Sequence, residues 1–180
     1  MIFEMKIKLF GKTFIESFNH YIFEFDSRKF EDNTEIKMVE IKKDNINDDV
    51  NGVGNTTKKW IINDYNYAKG FYFVNSKNEI IGSCWTMKKE GNEKLYKIRN
   101  HDAFIFRLNV YNEYQRKGYG QKIIKKIMFD LMNRNLYSIC LACSVNNKPA
   151  FNLYKKMGGT IVKHRIFVRI IDKNIPYYTI

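Results

Sequence analysis

Between residues 103 and 134 the apolar pattern changes period, and few folds accommodate that change in so short a span. Ala103 to Tyr111 alternates, with Phe104, Phe106, Leu108 and Val110 in step, the spacing of a strand with one buried face. Gln121 to Arg134 instead places Ile123, Ile124, Ile127, Met128 and Leu131 on one face and Lys122, Lys125, Lys126 and Asp130 on the other, as an amphipathic helix does. Gln115-Arg116-Lys117-Gly118-Tyr119-Gly120 joins the two. Its glycines let the backbone curl so that successive N–H groups point into one concavity. At a helix N-terminus those donors and the helix dipole attract an anion. Arg116 and Lys117 add full charge beside it. By themselves, two glycines before a helix specify a turn and no more.

The neighbouring elements narrow the fold. Phe71 to Val74 and Glu79 to Met87 read as strands joined by Asn75-Ser76-Lys77-Asn78, which is turn chemistry. With Ala103 to Tyr111 they make an antiparallel meander. Downstream, Ile139 to Val145 reads as a buried strand. Pro149 suits the first turn of a second helix, which carries Ala150, Leu153, Tyr154 and Met157 and stops at Gly158-Gly159. Strands over Thr160 to Ile170 and about Pro176 to Ile180 follow. Upstream, Glu35 to Ile41 reads as a strand, 44–57 as an Asn/Asp/Gly loop, and Lys58 to Lys69 as a short helix ended by Gly70. The apolar stretch Tyr21 to Phe25 is expected in an N-terminal extension or edge element over residues 1–34, not independent of the domain over 35–180. The chain of 180 residues is thus expected to be one α+β domain without internal repeats.

Composition excludes some classes and leaves others open. Apolar residues make up 44% of the chain and aromatics 16%, which argues against disorder. No apolar run approaches the roughly 20 residues of a membrane span, and the first residues lack the layout of a signal peptide. A cytoplasmic protein is the expectation. Cys84, Cys140 and Cys143 lie in apolar strand-like stretches, where buried free thiols are usual, and no metal site is expected. The formal charge of +12 suits a nucleic-acid binder, but the lysines are scattered along the chain. A positive cleft for a multiply phosphorylated coenzyme is served equally well by that charge.

The motif around the glycine loop resembles a known family. Q-R-K-G-Y-G at 115–120 fits the Q/R-x-x-G-x-G/A signature of the GNAT superfamily of N-acetyltransferases, and Leu108-Asn109-Val110 fits its usual strand ending. Asn147-Lys148-Pro149-Ala150 and Leu153-Tyr154-Lys155-Lys156-Met157-Gly158 look like the same family's N-x-x-A…LY-x-K-x-G-F segment, with Gly159 standing where phenylalanine is usual. Together the motifs and the strands between them span roughly Phe71 to Val168. The loop lacks the third glycine of a Rossmann motif and the Gly-Lys-Ser/Thr ending of a Walker loop.

That resemblance implies a GNAT-like mixed, mostly antiparallel sheet with helices on both faces and splayed fourth and fifth strands. It makes 35–180 an acyl-CoA N-acyltransferase domain using acetyl-CoA as acyl donor and a primary amine, expected to be a small molecule, as acceptor. The coenzyme-binding set it implies is Leu108, Val110, Gln115, Arg116, Lys117, Gly118, Tyr119, Gly120, Gln121 and Asn147. Tyr154 is the implied general acid, although an aromatic at that spacing also suits a core. Asn147 is equally well suited to capping its helix. The base is open among Asp102, Glu113, His101, His164 and water, while Cys84 is a less favoured covalent carrier. Phe71, Tyr72, Phe73, Trp85 and Tyr65 are candidate acceptor-pocket residues or core. The resemblance also makes a homodimer an expectation. Two rivals are an acyl-CoA sensing domain without catalysis and a basic nucleic-acid-binding module.

Overall fold

The computed structural model describes residues 6–9, 12–31, 34–42, 68–87, 102–170 and 178–179. The expected loop over 44–57, residues 58–67 of the expected helix, Tyr65 and His101 lie outside them. In chain order the elements are β1 (Lys6–Leu9), β2 (Lys12–Asp26), β3 (Lys37–Glu40), β4 (Ala68–Val74), β5 (Ile80–Met87), β6 (Asp102–Val110), α1 (Tyr119–Met132), β7 (Ser138–Ser144), α2 (Lys148–Lys156), β8 (Thr160–Ile170) and β9 (Tyr178–Thr179), with 3-10 turns at Ser27–Lys29 and Asn112–Tyr114. This is an α+β fold. The described residues fall into two compact units, one over 25–140 and the other from the residues before 25 and after 140.

In the first unit β3, β4, β5 and β6 are consecutive neighbours in the sheet, and each pairs antiparallel with the next. The β4–β5 turn forms because the Asn75 side chain accepts from the N–H groups of Lys77 at 3.0 Å and Glu79 at 2.9 Å. Asn78 takes the left-handed φ of 62° that asparagine tolerates. β4 begins at Ala68, so Ala68 and Lys69 are strand rather than the end of a helix. Gly70 explains the difference. A Cβ there would sit 2.7 Å from the Trp85 ring, so Gly70 seats a cross-strand tryptophan instead of stopping a helix.

Helix α1 buries Ile123, Ile124, Ile127, Met128 and Leu131, the apolar face its spacing predicts. It starts at Tyr119, so Tyr119 and Gly120 are already helical. Its approach to the sheet is set by Gly82. A Cβ at that position would lie 2.4 Å from the Asn109 carbonyl oxygen and 3.2 Å from Ile123 Cδ1. Trp85, an odd number of residues from Gly82, faces the other way. There it joins Ile41, Ala68 and Tyr72, with Phe106 and Tyr111 packed against them.

In the second unit β2 lies between β7 and β8 and runs antiparallel to β8 from Ile15↔Ile170 to Glu24↔Thr160. The stretch Tyr21 to Phe25 therefore belongs to an interior strand, not to an extension or edge element. The physical reason is visible in two adjacent residues. Ile22 and Phe23 point to opposite faces, and both are 0% exposed, which requires cover on both sides of the strand. Helix α2 supplies part of that cover through Phe151, whose ring lies 5.5 Å from both Tyr21 and Phe23, and through Tyr154, 5.4 Å from Phe23.

Candidate active site

Strand β6 is irregular where it approaches the glycine loop. Ser83 pairs with Asn109 and Trp85 with Phe106, so Cys84 faces two residues, Arg107 and Leu108. Such a bulge interrupts the ladder and re-aims the side chains beyond it. Arg107 takes a left-handed φ of 51°. Past this point Leu108, Asn109 and Val110 are only half-buried, whereas Asp102 to Ile105 are buried. The strand thus leaves the core as it reaches Leu108 and Val110, the pair expected to contribute main-chain contacts.

After Val110 the chain makes the 3-10 turn, with Tyr114 N–H donating to Tyr111 O at 2.8 Å. Gln115 locks the turn to the strand: its Nε2 donates to Val110 O at 2.9 Å and to Asn112 Oδ1 at 3.1 Å. Its side-chain amide therefore shapes the loop. Arg116 (φ 60°) and Gly118 (φ 78°) are both left-handed, with Lys117 between them. Gly118 is the N-cap residue of α1, and no side chain caps the helix. The first bond back to it is Lys122 N–H to Gly118 O, at 3.4 Å. The N–H groups of Tyr119, Gly120 and Gln121 accordingly lack intrahelical acceptors. A Cβ built on Gly118 meets nothing within 4 Å, so the space over this terminus is open.

Arg116 and Lys117 in the loop and Lys122 in the first turn of α1 are exposed. Lys117 Nζ lies 5.9 Å from the Tyr114 ring and Lys122 Nζ 5.7 Å from the Tyr119 ring. The two rings meet edge-on at 5.8 Å. Uncapped donors, an open approach and three cations suit a multiply charged anion such as a pyrophosphate.

The sequence pattern of the acetyltransferase (GNAT) family matches residues 20–159. The chain belongs to the GNAT acetyltransferase family. The fold agrees with solved structures at low identity. A conserved protein of unknown function from Staphylococcus epidermidis superposes with a TM-score of 0.63 at 12% identity, over 86% of this chain and 62% of that one. A GCN5-related N-acetyltransferase from Sphaerobacter thermophilus gives 0.55 at 12%, over 88% and 53%. A Bacillus subtilis acetyltransferase in complex with CoA gives 0.53 at 16%, over 69% and 75%. Against the first two, this GNAT chain spans little more than half to three-fifths of the length. No curated protein matches it.

The remaining expected site residues of this GNAT chain lie in the second unit. Asn147 caps α2, its side chain accepting from Ala150 N–H at 3.2 Å. Tyr154 is 6% exposed. Burial, and secondarily the neighbouring Cys143, raises its pKa above the ordinary tyrosine range, so the phenol keeps its proton. Burial likewise pushes the Cys143 thiol up to about 11. Cys84 is fully buried and its thiol is pushed far above the thiolate range by desolvation, which argues against a covalent acyl carrier.

Among the candidate bases, Asp102 is buried at the start of β6 and Glu113 is exposed in the 3-10 turn. His164 is engaged: its Nε2 lies 2.7 Å from Asn19 Oδ1 and its ring stacks on Tyr21 at 4.8 Å. Phe71, Tyr72, Phe73 and Trp85 are core residues, none more than 5% exposed. Two residues that shape the site are not evident from sequence. Arg107 carries no local signal, because a non-glycine residue rarely marks a left-handed bulge. Gly82 had one, since an isolated glycine inside a strand signals close backbone approach.

A pH dependence arises from Cys143 and Tyr154. Both pKa values are raised on folding, so the unfolded chain loses protons first as pH rises. The Cys143 contribution is complete below the free thiol's value of 9.0 and is lost as pH climbs toward about 11, while that of Tyr154 begins to be lost only from the ordinary tyrosine value of 10.0 upward. Urea midpoints are therefore expected to fall between pH 9 and 11, and less steeply in Cys143→Ala. An identical fall in wild type and variant would assign the loss to other groups.

Proposed function

We propose that this chain is an acetyl-CoA-dependent N-acetyltransferase whose acceptor is a primary amine on a small molecule. The observation that carries the reading is the uncapped N-terminus of α1 behind left-handed Gly118, with exposed Arg116, Lys117 and Lys122 in the loop and first turn. In this reading the N–H groups of Tyr119, Gly120 and Gln121 hold the coenzyme's pyrophosphate. Gln115 keeps the loop in shape through Val110 O. The backbone of Leu108 and Val110, on the side of β6 away from β5, pairs with the pantetheine amides. Asn147 steadies the start of α2 and has its Nδ2 group to offer a carbonyl.

The transfer is direct. The neutral amine attacks the thioester carbonyl carbon, forming the C–N bond while the carbonyl π electrons move to oxygen. A backbone N–H near the bulge stabilises that charge. When the intermediate collapses the C–S bond breaks and the electron pair leaves on sulfur. Tyr154 gives the thiolate its phenolic proton. The proton shed by the amine nitrogen passes to water, and the phenolate is reprotonated from solvent. Burial keeps the Tyr154 phenol protonated, and therefore able to act as a donor, across the ordinary pH range.

Calorimetric titration with acetyl-CoA tests the donor side, and free-thiol release across a panel of amines tests turnover. Binding is expected in the roughly 1 μM to 1 mM range common to enzyme substrates. Absence of binding would sink the reading, and binding without thiol release on any amine would leave a coenzyme-binding domain only. Gly118→Asn is the informative variant. Asparagine tolerates the left-handed backbone but fills the open space over the helix terminus. It is expected to weaken acetyl-CoA binding at least about tenfold, or 1.4 kcal/mol, with little change in melting temperature. Unchanged affinity would remove the loop from the site.

A further inference from the structure

We propose that Glu79 and Tyr114 are positioning residues for the coenzyme loop, bracing it against the β4–β5 turn and so holding Lys117 and Tyr119 in place. The inference rests on the acyltransferase reading above and adds to it the contacts that keep the donor site in shape.

The sheet register brings the two residues together. Gly82 pairs with Val110, and Tyr111 N–H donates to Ile81 O at 3.0 Å. Glu79 stands just before Ile81 at the start of β5, and Tyr114 stands just after Tyr111 at the end of the 3-10 turn. There the Tyr114 hydroxyl donates to the Glu79 carboxylate. Desolvation, then the charges of Glu79 and Glu113, raise the phenol's pKa above the ordinary tyrosine range, so it stays a donor.

Each partner is held from its own side. Buried Asn75 donates from Nδ2 to Glu79 Oε2 at 2.7 Å and accepts the Glu79 N–H at 2.9 Å, which anchors the carboxylate to the turn. The Tyr114 ring meets Tyr119 edge-on at 5.8 Å and lies 5.9 Å from Lys117 Nζ. Tyr119 opens α1, and in the proposed arrangement its N–H is a pyrophosphate donor. A chain of contacts thus runs from Asn75 through Glu79 and Tyr114 to Tyr119 and Lys117. Gln115 ties the same loop to β6 through Val110 O, at a different point. A loop fixed at two points before the coenzyme arrives loses less conformational freedom on binding. That saving is the contribution of the brace to affinity.

The test is calorimetric titration of the full chain with acetyl-CoA. Tyr114→Phe keeps the ring, and with it the Tyr119 and Lys117 contacts, but removes the hydroxyl. Glu79→Gln leaves one acceptor oxygen for two donors, Asn75 Nδ2 and the phenol. Each is expected to weaken acetyl-CoA binding about three- to tenfold, the range of a typical net hydrogen bond, with little change in melting temperature. The double variant should be no weaker than the weaker single one, because the pair acts as a unit. The sign in Glu79→Gln is decisive. Removing a carboxylate strengthens the binding of an anion by charge alone, whereas loss of the brace weakens it. In turnover the loss should fall on KM for acetyl-CoA, with kcat within about twofold. Unchanged or tighter binding in Glu79→Gln, unchanged binding in Tyr114→Phe, or losses that add in the double variant would overturn the proposal and leave the acyltransferase reading standing. A loss of affinity matched by a large fall in melting temperature would mark general destabilisation and overturn it too. Failure of wild type to bind acetyl-CoA would remove both.

Discussion

Gly82→Ala is expected to destabilise the protein by about 3 kcal/mol, the upper end of ordinary overpacking. The new methyl would stand 2.4 Å from the Asn109 carbonyl oxygen, and a backbone atom in a paired strand has nowhere to swing. Ile123 Cδ1, at 3.2 Å, could give way by a rotamer change, but relief there does nothing for the carbonyl. The strands must separate, and the separation falls at Ser83↔Asn109, beside the bulge. Urea unfolding should show a lower midpoint with an unchanged slope. A calorimetric titration should also show weaker acetyl-CoA binding, because Leu108 and Val110 flank the displaced carbonyl. A loss below about 1 kcal/mol, small for overpacking against backbone, would mean that Gly82 does not set the spacing of β5 and β6.

Tyr154→Phe is expected to lower kcat at least about 100-fold, the lower end of what a positioned general acid contributes, while acetyl-CoA affinity changes little. The phenol is buried against Phe23 and phenylalanine keeps that ring contact, so a large loss of stability is not expected. The sharper readout uses the leaving group. An acetyl thioester of an acidic aromatic thiol departs without needing a proton, and the variant's deficit should shrink with it. An equal deficit for both donors, or a fall in kcat under about tenfold, would assign Tyr154 to packing alone.

How much of the fold was legible in the sequence depends on the range of the forces involved. The loop over 115–120 and the helix after it were legible because glycine conformation and 3.6-residue spacing are local properties. The β4–β5 turn was legible for the same reason, through Asn75 and Asn78. Strand β2 was misplaced because its partners are distant: Asn19 and His164, bonded at 2.7 Å, are 145 residues apart. A hint was present in the unbroken run Tyr21-Ile22-Phe23, which suits a strand covered on both faces better than an edge. The role of Gln115 was half legible. Its place in the motif pointed to the site, but its bond to Val110 O is a tertiary fact. Arg107 was not legible, since nothing in an arginine announces a positive φ.

The interior position of β2 has a consequence for how the chain reaches its native state. A strand of fifteen residues is made early in synthesis, yet the partner that spans it from Ile15 to Glu24 is β8, which emerges more than a hundred residues later. Closing a loop of that length is entropically slow. Until it closes, the Ile22 and Phe23 side chains and a long row of backbone donors on β2 wait without their final cover. The second unit is therefore a late product of folding, and the helix that carries Tyr154 acquires its complete sheet only at that stage. The coenzyme loop and α1, seated on a four-stranded meander of near neighbours in sequence, are free of that delay. The order of assembly thus runs from the proposed donor site to the proposed proton donor.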